Sequence, residues 1–461
     1  MKQYQTALFI FRRDLRLEDN TALIAAAKKA HCILPCFIFD TQQIGPNNPF
    51  RSSNAIQFMI ESIQDLNEQL KKKNGSLYLF YGTTDRVVEH LLKKITIDAI
   101  FTNRDYTPFS IKRDEKIKKL CIHYKAIFEQ YGDALLNEPE EILKQDGTPY
   151  SIFTPFLKAS LYHPIKKPDI LPAIDFYQKK INESQRAKDV FKKIMPKINT
   201  QIHVHGGSRN ARTLLKSLKT YINYQKQRDF PSIPTTNLSA HLKFGTVSVR
   251  TVHNAMSKIL GIQHPLLRQL YWRDFFTHVA YHSPFVFGHA FHKKYDSLPW
   301  NPNKKDFMRW CTGTTGFPIV DAGMRQLNAT GFMHNRVRMI VASFLTKDLH
   351  IDWRLGEQYF AQQLVDYDPA VNNGNWQWSA STGCDAQPYF RIFNPWLQQK
   401  KFDPTCSYIK KWVPELKKYS PEIIHAWQKQ STQHTTHYPS PMVDHQKESA
   451  RAKTIYRNAK P

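Results

Sequence analysis

The chain has 461 residues, a formal net charge of +26 and 41 % hydrophobic residues. That length fits about three domains or two large ones, and the apolar fraction supports a sizeable core, which excludes a globally disordered chain. The excess of basic residues predicts a polyanionic partner, for which nucleic acid is the leading candidate.

The first part of the chain, residues 1–133, alternates short apolar runs with helical patterns. The predicted strands and helices, in chain order, are Ala7–Phe11, Thr21–Ala30, Ile33–Asp40, Ser53–Lys73, Ser76–Tyr81, Asp85–Lys94, Ile97–Asn103, Ser110–Tyr124 and Ala126–Tyr131. This alternation predicts an α/β domain with a doubly wound, mostly parallel sheet. Asp19 and Asn20 offer a cap for the first helix. No G-x-G-x-x-G follows the first strand, so a dinucleotide-binding Rossmann site is not supported.

The remaining chain divides into two segments. Residues 134–202 are rich in lysine and proline and weakly periodic, which predicts an interdomain connector. Over residues 203–461 the strand pattern disappears, and long helical stretches predict a large all-α domain. These stretches are Gly207–Gln227, Val247–Leu260, Leu266–Tyr281 and Val320–Leu349.

Three absences bound the function. Six scattered cysteines without a C-x-x-C pair argue against a disulfide framework and against structural zinc. His203-Val204-His205 has no third ligand nearby in sequence, so we predict no metal site. Neither a signal peptide nor an apolar stretch of bilayer length is evident, so we expect a cytoplasmic, bacterial-type intracellular protein that is not attached to a membrane.

Residues 366–378 are the most informative segment and read Asp-Tyr-Asp-Pro-Ala-Val-Asn-Asn-Gly-Asn-Trp-Gln-Trp. Acids, adjacent amides and two indoles lie close together, and burying them is costly unless every polar group has a partner. A bound ligand with many donors and acceptors would supply those partners. The alternation of Asn, Gly and Trp also suits a flat aromatic ring that the backbone approaches closely.

Other polar motifs accompany this segment. Residues 224–231 read Tyr-Gln-Lys-Gln-Arg-Asp-Phe-Pro, and residues 235–245 read Thr-Thr-Asn-Leu-Ser-Ala-His-Leu-Lys-Phe-Gly, with hydroxyls beside a helix start that suit an anion. Gln269, Trp272 and Arg273 share one helix face, where an indole can stack on one base while its neighbours hydrogen-bond another. On a second helix Asn335, Arg338 and Met339 share a face.

These motifs resemble those of the DNA photolyase/cryptochrome family, and the resemblance covers nearly the whole chain. The pattern is most similar to class I cyclobutane pyrimidine dimer photolyases. It implies an antenna domain at 1–133, a connector at 134–202 and a helical FAD- and DNA-binding domain at 203–461. The implied activity is light-driven repair of cyclobutane pyrimidine dimers by electron transfer from reduced, anionic FAD, which makes the enzyme a carbon–carbon lyase. UV-damaged DNA is the implied partner, and we expect a monomer that is associated with the nucleoid when bound to DNA.

The resemblance also assigns roles to residues of this chain. It implies an electron-transfer chain of Trp376, Trp353 and Trp300, with Asn372 facing the flavin N5. A neutral amide at that position cannot protonate N5. The implied FAD-binding residues are Tyr224, Thr235, Thr236, Asn237, Leu238, Ser239, Arg273, Asn335, Arg338, Asp366, Tyr367, Asp368 and Asn372. The implied DNA- and lesion-binding residues are Arg228, Gln269, Trp272, Arg273, Asn335, Arg338, Met339, Trp378 and Gln398.

Within this set, Asp368 would lie near the flavin ring and ribityl chain, and Arg338 matches the arginine that pairs with it. A charge-assisted contact between the two would fix both side chains.

Two departures from the family pattern leave alternatives open. Gln269 stands where many cyclobutane-dimer photolyases have Glu; (6-4) photolyases also carry Gln there, but they have two histidines where this chain has Asn335 and Met339. Those two residues favour the cyclobutane dimer.

The second departure concerns the antenna. Phe109-Ser110 stands where the folate-binding subset has an Asn-Glu pair. This makes methenyltetrahydrofolate doubtful as the antenna and leaves a deazaflavin, a second flavin or none. A cryptochrome-type blue-light photoreceptor is the main alternative function, and the absence of a long tail after Asn394-Pro395 argues against it.

Overall fold

The structure of the chain is a computed structural model that describes residues 2–195, 197–433 and 437–459. Within these residues the first part of the chain forms a parallel sheet in the order β3-β2-β1-β4-β5, with a short β6 beside β2. The strands are β1 (Tyr4–Phe11), β2 (Ala30–Asp40), β3 (Tyr78–Gly82), β4 (Ala99–Asn103), β5 (Ile127–Tyr131) and β6 (Asp175–Phe176). The predicted α/β fold with a doubly wound parallel sheet is therefore confirmed.

The central strand explains why the sheet forms here. Leu8 and Ile10 of β1 point into the apolar cluster on one face of the sheet, and Phe9 and Phe11 point into the cluster on the other. A strand that is buried on both faces reads as a continuous apolar run, as this one does. Asn20 caps the first helix by accepting a hydrogen bond from the amide of Leu23 at 3.2 Å, as predicted.

Helices surround the sheet and make up the rest of the described chain. The α-helices are α1 (Thr21–Lys29), α2 (Thr41–Ile44), α3 (Ser53–Lys71), α4 (Thr84–Lys94), α5 (Pro108–His123), α6 (Phe153–Tyr162), α7 (Ala187–Ile194), α8 (Ser208–Lys216), α9 (Tyr224–Gln227), α10 (Ser239–Phe244), α11 (Val249–Leu260), α12 (Arg268–His282), α13 (Lys304–Thr312), α14 (Pro318–Thr330), α15 (Asn335–Ser343), α16 (Trp353–Gln363), α17 (Pro369–Ala380), α18 (Pro395–Phe402), α19 (Ser407–Trp412), α20 (Pro421–His425), α21 (Trp427–Gln430) and α22 (His445–Arg457). Short 3₁₀ turns lie at Leu218–Tyr221, Pro284–Val286, Lys293–Tyr295, Pro414–Leu416 and Ser431–Gln433, and a π-helical turn at Phe344–Asp348. None of the helices in the described ranges is long and apolar enough to cross a bilayer.

Two long helices predicted from periodicity were wrong as single elements. The stretch at 320–349 is divided because Gly331 takes a left-handed φ of +68° after α14, and His334 then caps α15 by accepting from the amide of Arg336. The stretch at 207–227 ends its first helix at Ser217, whose hydroxyl donates back to the carbonyl of Leu214. Such local side-chain bonds compete with helix continuation.

The boundaries of the connector stay a prediction, but the structure shows that residues 134–202 contain α6, β6 and α7. Helix α6 packs against α12 of the helical region, and β6 pairs with β2 of the sheet. The segment at 134–202 therefore contacts the helical region through α6 and the sheet through β6.

A buried ion cluster joins the sheet to the helices. Asp133, just after β5, accepts hydrogen bonds from Arg16 at 2.7 Å and from Arg250 of α11 at 2.8 Å. Burial alone would raise the pKa of Asp133, but the two guanidinium groups outweigh burial and hold the pKa at about 2. Arg250 also contacts Asp19 at 3.1 Å, so each charge in the cluster is paired.

Asp133→Asn should lower the free energy of unfolding by about 3 kcal/mol, because it leaves the buried Arg16 without an ion-pair partner and leaves Arg250 with Asp19 alone. Urea unfolding followed by circular dichroism at neutral pH would measure the loss. The matched control is Asp85→Asn, which breaks a surface pair with Lys116 and should cost less than about 1 kcal/mol. Equal losses in the two variants would contradict the role of the cluster. Because the pKa of Asp133 is depressed, the stabilisation of the fold by its carboxylate is present above about pH 4 and is lost as the pH falls towards 2.

Candidate cofactor and nucleic-acid site

Helix α17 is the element around which the predicted site residues are arranged. It packs against α12, α15 and α16, and it carries Asn372, Trp376 and Trp378 itself. Two glycines allow the helices to approach this closely. A Cβ at Gly374 would lie 2.1 Å from the ring of Phe276 on α12, and one at Gly356 of α16 would lie 2.2 Å from the indole of Trp376. The predicted site residues of α12 and α15 are therefore brought next to those of α17.

The first turn of α17 is held by Asp368. Its carboxylate accepts from the amides of Ala370 at 3.1 Å and Val371 at 3.3 Å, and it forms an ion pair with Arg13 from the loop after β1. Burial would raise the pKa of Asp368, but Arg13, Lys243 and Arg273 together hold it at about 2. The carboxylate is therefore ionised at neutral pH.

The predicted pairing of Arg338 with Asp368 is wrong. Arg338 contacts Asp366 instead, with nitrogen–oxygen distances of 3.0 and 3.2 Å. The cap of α17 and Arg13 already occupy the carboxylate of Asp368, whereas Asp366, two residues earlier, lies outside the helix and faces α15.

The amide of Asn372 has a fixed orientation. Its Nδ2 donates to the carbonyl of Glu357 on α16 at 3.1 Å. Its Oδ1 accepts no hydrogen bond from any described group. The neighbouring Asn373 donates to the Glu357 carboxylate, also at 3.1 Å. The oxygen of Asn372 is thus the atom that remains for a ligand, and an amide oxygen can accept a proton-bearing group but cannot supply a proton.

Glu357 is a buried carboxyl group beside this amide. Burial raises its pKa to about 7, while the hydrogen bond from Asn373 acts in the opposite direction. Near neutral pH, Glu357 is therefore divided between the charged and neutral forms.

The three tryptophans of the predicted electron-transfer chain differ in exposure. Trp376 is 2 % exposed, Trp353 at the start of α16 is fully buried, and Trp300 is partly exposed. Trp376 touches Gly356, less than one helical turn beyond Trp353, and the ring of Trp300 lies 6.4 Å from that of Tyr456. Trp376 and Trp353 are thus both buried, and Trp300 is the member of the predicted chain that reaches the surface. Trp376 also lies 6.1 Å from Trp310, which sequence reasoning did not single out.

The predicted phosphate loop is irregular chain that leads into α10. Tyr221 donates to the carbonyl of Thr235 at 3.0 Å, and Asn237 takes a left-handed φ of +55° with its side chain 3.2 Å from His203. Leu238 is buried, which anchors the loop below its polar groups. The hydroxyls of Thr235, Thr236 and Ser239 have no bonding partner among the described residues. Tyr224 begins α9 and Arg228 follows its last residue, with the guanidinium 5.9 Å from the ring.

The predicted lesion-binding residues lie on four helices, α12, α15, α17 and α18, and at Arg228 just after α9. Gln269 and Trp272 are partly exposed on α12, whereas Arg273 is directed to the backbone carbonyls of Ala134 at 2.5 Å and Leu242 at 3.3 Å. On α15 the amide of Asn335 lies 3.7 Å from the sulfur of Met339. On α18 the Oε1 of Gln398 is buried without a partner among the described residues.

The donor set of this region fits a flavin nucleotide. It offers free hydroxyls at the 235–239 loop, a free amide oxygen at Asn372 and an unpartnered, buried Nε2 on His334 at the start of α15. The described residues contain no group of three or more His, Cys, Asp or Glu that could hold a metal ion. His203 and His205 have separate partners, Asn237 and Glu61.

Sequence reasoning missed two residues that shape this site. Arg13 follows β1, far from α17 in the chain, and its place in the charged run Arg12-Arg13-Asp14 does not indicate a contact with Asp368. Glu357 lies in a helix where a surface glutamate would give the same pattern. Neither residue carried a local signal.

Comparison with known proteins agrees with this geometry. Residues 7–172 match the family model described as DNA photolyase, and residues 266–458 match the model described as the FAD binding domain of DNA photolyase. The chain is 36 % identical to the deoxyribodipyrimidine photo-lyase of Alkalihalophilus pseudofirmus, over 97 % of each chain.

Two solved structures are also similar over nearly their full length. The archaeal photolyase from Sulfolobus tokodaii, solved with two FAD molecules, has 42 % identity and a TM-score of 0.89, with 98 % of this chain and 100 % of that chain covered. A Synechocystis cryptochrome has 27 % identity and a TM-score of 0.89, with 99 % and 100 % covered.

Glu357→Gln should make the chain more stable relative to the wild type as the pH rises. Because the pKa of Glu357 is raised, the contribution of its protonated carboxyl group to the stability of the fold is fully present below about pH 4.5. This contribution is lost as the pH rises through about 7. The difference in free energy of unfolding should grow by about 3 kcal/mol between pH 4.5 and 8. Denaturant titrations at several pH values would measure it, with the exposed Glu68→Gln as control. A difference that does not change with pH would contradict the assignment.

Proposed function

This chain belongs to the DNA photolyase family, and we propose that it repairs cyclobutane pyrimidine dimers in UV-damaged DNA when illuminated. The single observation that carries the proposal is the convergence of three helices on α17, which brings Asn372, Trp376 and the two partly exposed indoles, Trp272 and Trp378, onto adjoining helices. A flavin-binding protein without photochemistry would not need three tryptophans that match an electron-transfer chain, two of them buried and one partly exposed.

Bound FAD in its reduced state supplies the light-excited electron that opens the cyclobutane ring and is afterwards returned. The chain's own residues would hold this cofactor at the 235–239 loop and along α12, α15 and α17. The oxygen of Asn372 would accept a hydrogen bond and would not deliver a proton. Trp376, Trp353 and Trp300 would carry electrons inwards from the surface to regenerate the reduced state.

Damaged DNA fits the surface chemistry of the chain. The excess of 65 Lys and Arg over 39 Asp and Glu supplies phosphate contacts that do not depend on sequence. A dimer within a duplex cannot reach a buried site, so it must be extruded, as for other enzymes that act on a flipped nucleotide, photolyases included. Gln269, Trp272, Asn335, Met339 and Trp378 would contact the extruded dimer, with Arg228 and Gln398 as further contacts.

A second, light-harvesting chromophore is part of the proposal, and its identity stays open. The Sulfolobus tokodaii structure with two FAD molecules supports a second flavin. After β1 of this chain, the Nε and Nη2 atoms of Arg12 are buried and unpartnered among the described residues, which suits an anionic group. We further propose a cytoplasmic monomer.

The deciding experiment uses purified, chemically reduced protein and an oligonucleotide with one cyclobutane thymine dimer. We expect loss of the dimer in the light and none in the dark. Chromophores released from the same preparation would identify any second cofactor. If the protein does not repair this substrate but repairs a (6-4) photoproduct, the (6-4) photoproduct replaces the cyclobutane dimer as the proposed lesion. Failure on both lesions, with flavin bound, would favour the alternative of a cryptochrome-type photoreceptor.

Trp376→Phe should abolish most photoreduction of the bound flavin while leaving repair by chemically reduced protein largely intact. The substitution removes the first indole of the chain but keeps a ring of similar shape against Gly356. Absorbance changes under blue light with an external reductant would measure the rate. The matched control is Trp310→Phe, which removes an equally buried indole in contact with Trp376. If Trp310→Phe also abolished photoreduction, the proposed route through Trp353 would be wrong.

A further inference from the structure

Phe153, the first residue of α6, stacks face to face on Trp272. The two ring centroids are 3.6 Å apart and the planes differ by 8°. Phe153 is 2 % exposed, whereas Trp272 is partly exposed. One face of the indole is thus covered by a residue from the segment predicted as a connector, and a second aromatic group could stack only on the other face.

The stack is held from several sides. Phe275 meets both rings edge-on at 5.7 Å, and Phe276 lies 5.5 Å from Trp272. The guanidinium of Arg268, one helical turn before Trp272 on α12, lies 5.9 Å from the Phe153 ring. These contacts define the plane of the indole before any base arrives, which lowers the entropic cost of stacking on it.

The start of α6 is fixed by a residue far away in the sequence. Ile152 precedes the helix and cannot cap it, and the carboxylate of Asp385 accepts from the amide of Phe153 at 3.0 Å instead. Asp385 lies in the loop after α17, and in the same loop the amide of Gln387 donates to the carbonyl of Trp378 at 3.2 Å. The loop therefore connects the backbone of Trp378 to the helix that supports Trp272.

We propose that Phe153 is a positioning residue for lesion recognition. It holds Trp272 in the orientation that stacks on an extruded pyrimidine dimer, and Asp385 sets its place relative to Trp378. This inference rests on the proposed function, because it needs Trp272 to contact the lesion. It makes α6 a part of the lesion-binding pocket.

The test compares Phe153→Leu with Phe156→Leu. Phe156 lies on the same helix, is also 2 % exposed and packs on Phe275, but it does not contact Trp272. Both variants lose one ring from the same apolar cluster, so they should lose similar stability. Only Phe153→Leu should lower the ratio of affinities for dimer-containing and undamaged oligonucleotides, by about fivefold, since the indole of Trp272 would then have to be ordered when the dimer binds. Flavin content and repair at saturating dimer should match those of Phe156→Leu.

The outcomes separate the inference from the proposed function. If the unaltered protein repairs the dimer and both variants keep the same affinity ratio, the role of Phe153 is overturned while the function stands. If the unaltered protein does not prefer the dimer, the proposed function itself fails.

A second pair of variants leaves every ring in place, in case Phe153→Leu does not fold. Asp385→Ala should lower the affinity ratio by about twofold or more through the lost cap, and Asp385→Asn, which keeps an acceptor, should restore it. No difference between the two would overturn the contribution of Asp385.

Discussion

The close approach of α17 to its neighbours is the constraint on which the candidate site depends. Gly356 and Gly374 leave no room for a side chain, and the space is taken by Trp376 and Phe276. Packed interiors do not absorb such overlaps by small shifts. The amide of Asn372 and the indoles of Trp376 and Trp378 therefore keep a fixed relation to α12 and α16, and a ligand would meet a site that is already formed.

Charge pairing across the two halves of the chain completes this arrangement. Arg13 after β1 contacts the capping carboxylate of α17, and Asp133 after β5 pairs with Arg250 of α11. Buried pairs contribute little net stability over apolar packing, but an unpaired member is costly. Docking the helices on the sheet in any other position would leave these charges unpaired. The α/β part thus contributes to the geometry of the helical site as well as to any antenna.

Local patterns in the sequence predicted much of this molecule, and tertiary contacts account for what they did not predict. The strands followed from apolar runs such as residues 7–11, and the unusual mixture of residues at 366–378 marked the segment containing α17 as a candidate ligand site. The break at Gly331 was not predicted, because a glycine within a periodic stretch does not reveal its φ. The partner of Arg338 was assigned to Asp368 because the sequence does not show that Arg13 already holds that carboxylate. The contact of Phe153 with Trp272 joins residues more than a hundred positions apart, and no local signal marks it.

Helix geometry also explains how α17 could serve both proposed tasks, electron supply to the flavin and contact with the lesion. Trp376 and Trp378 are two positions apart and therefore point about 200° away from each other around the helix. The first is buried against α16, on the side that leads towards Trp353, and the second is partly exposed beside the loop that reaches α6. In the proposed function, electron supply and lesion contact would be separated by the body of a single helix. Because both indoles belong to one rigid element, a change that rotates α17 would disturb both tasks together, whereas a change in α6 would reach only the lesion side.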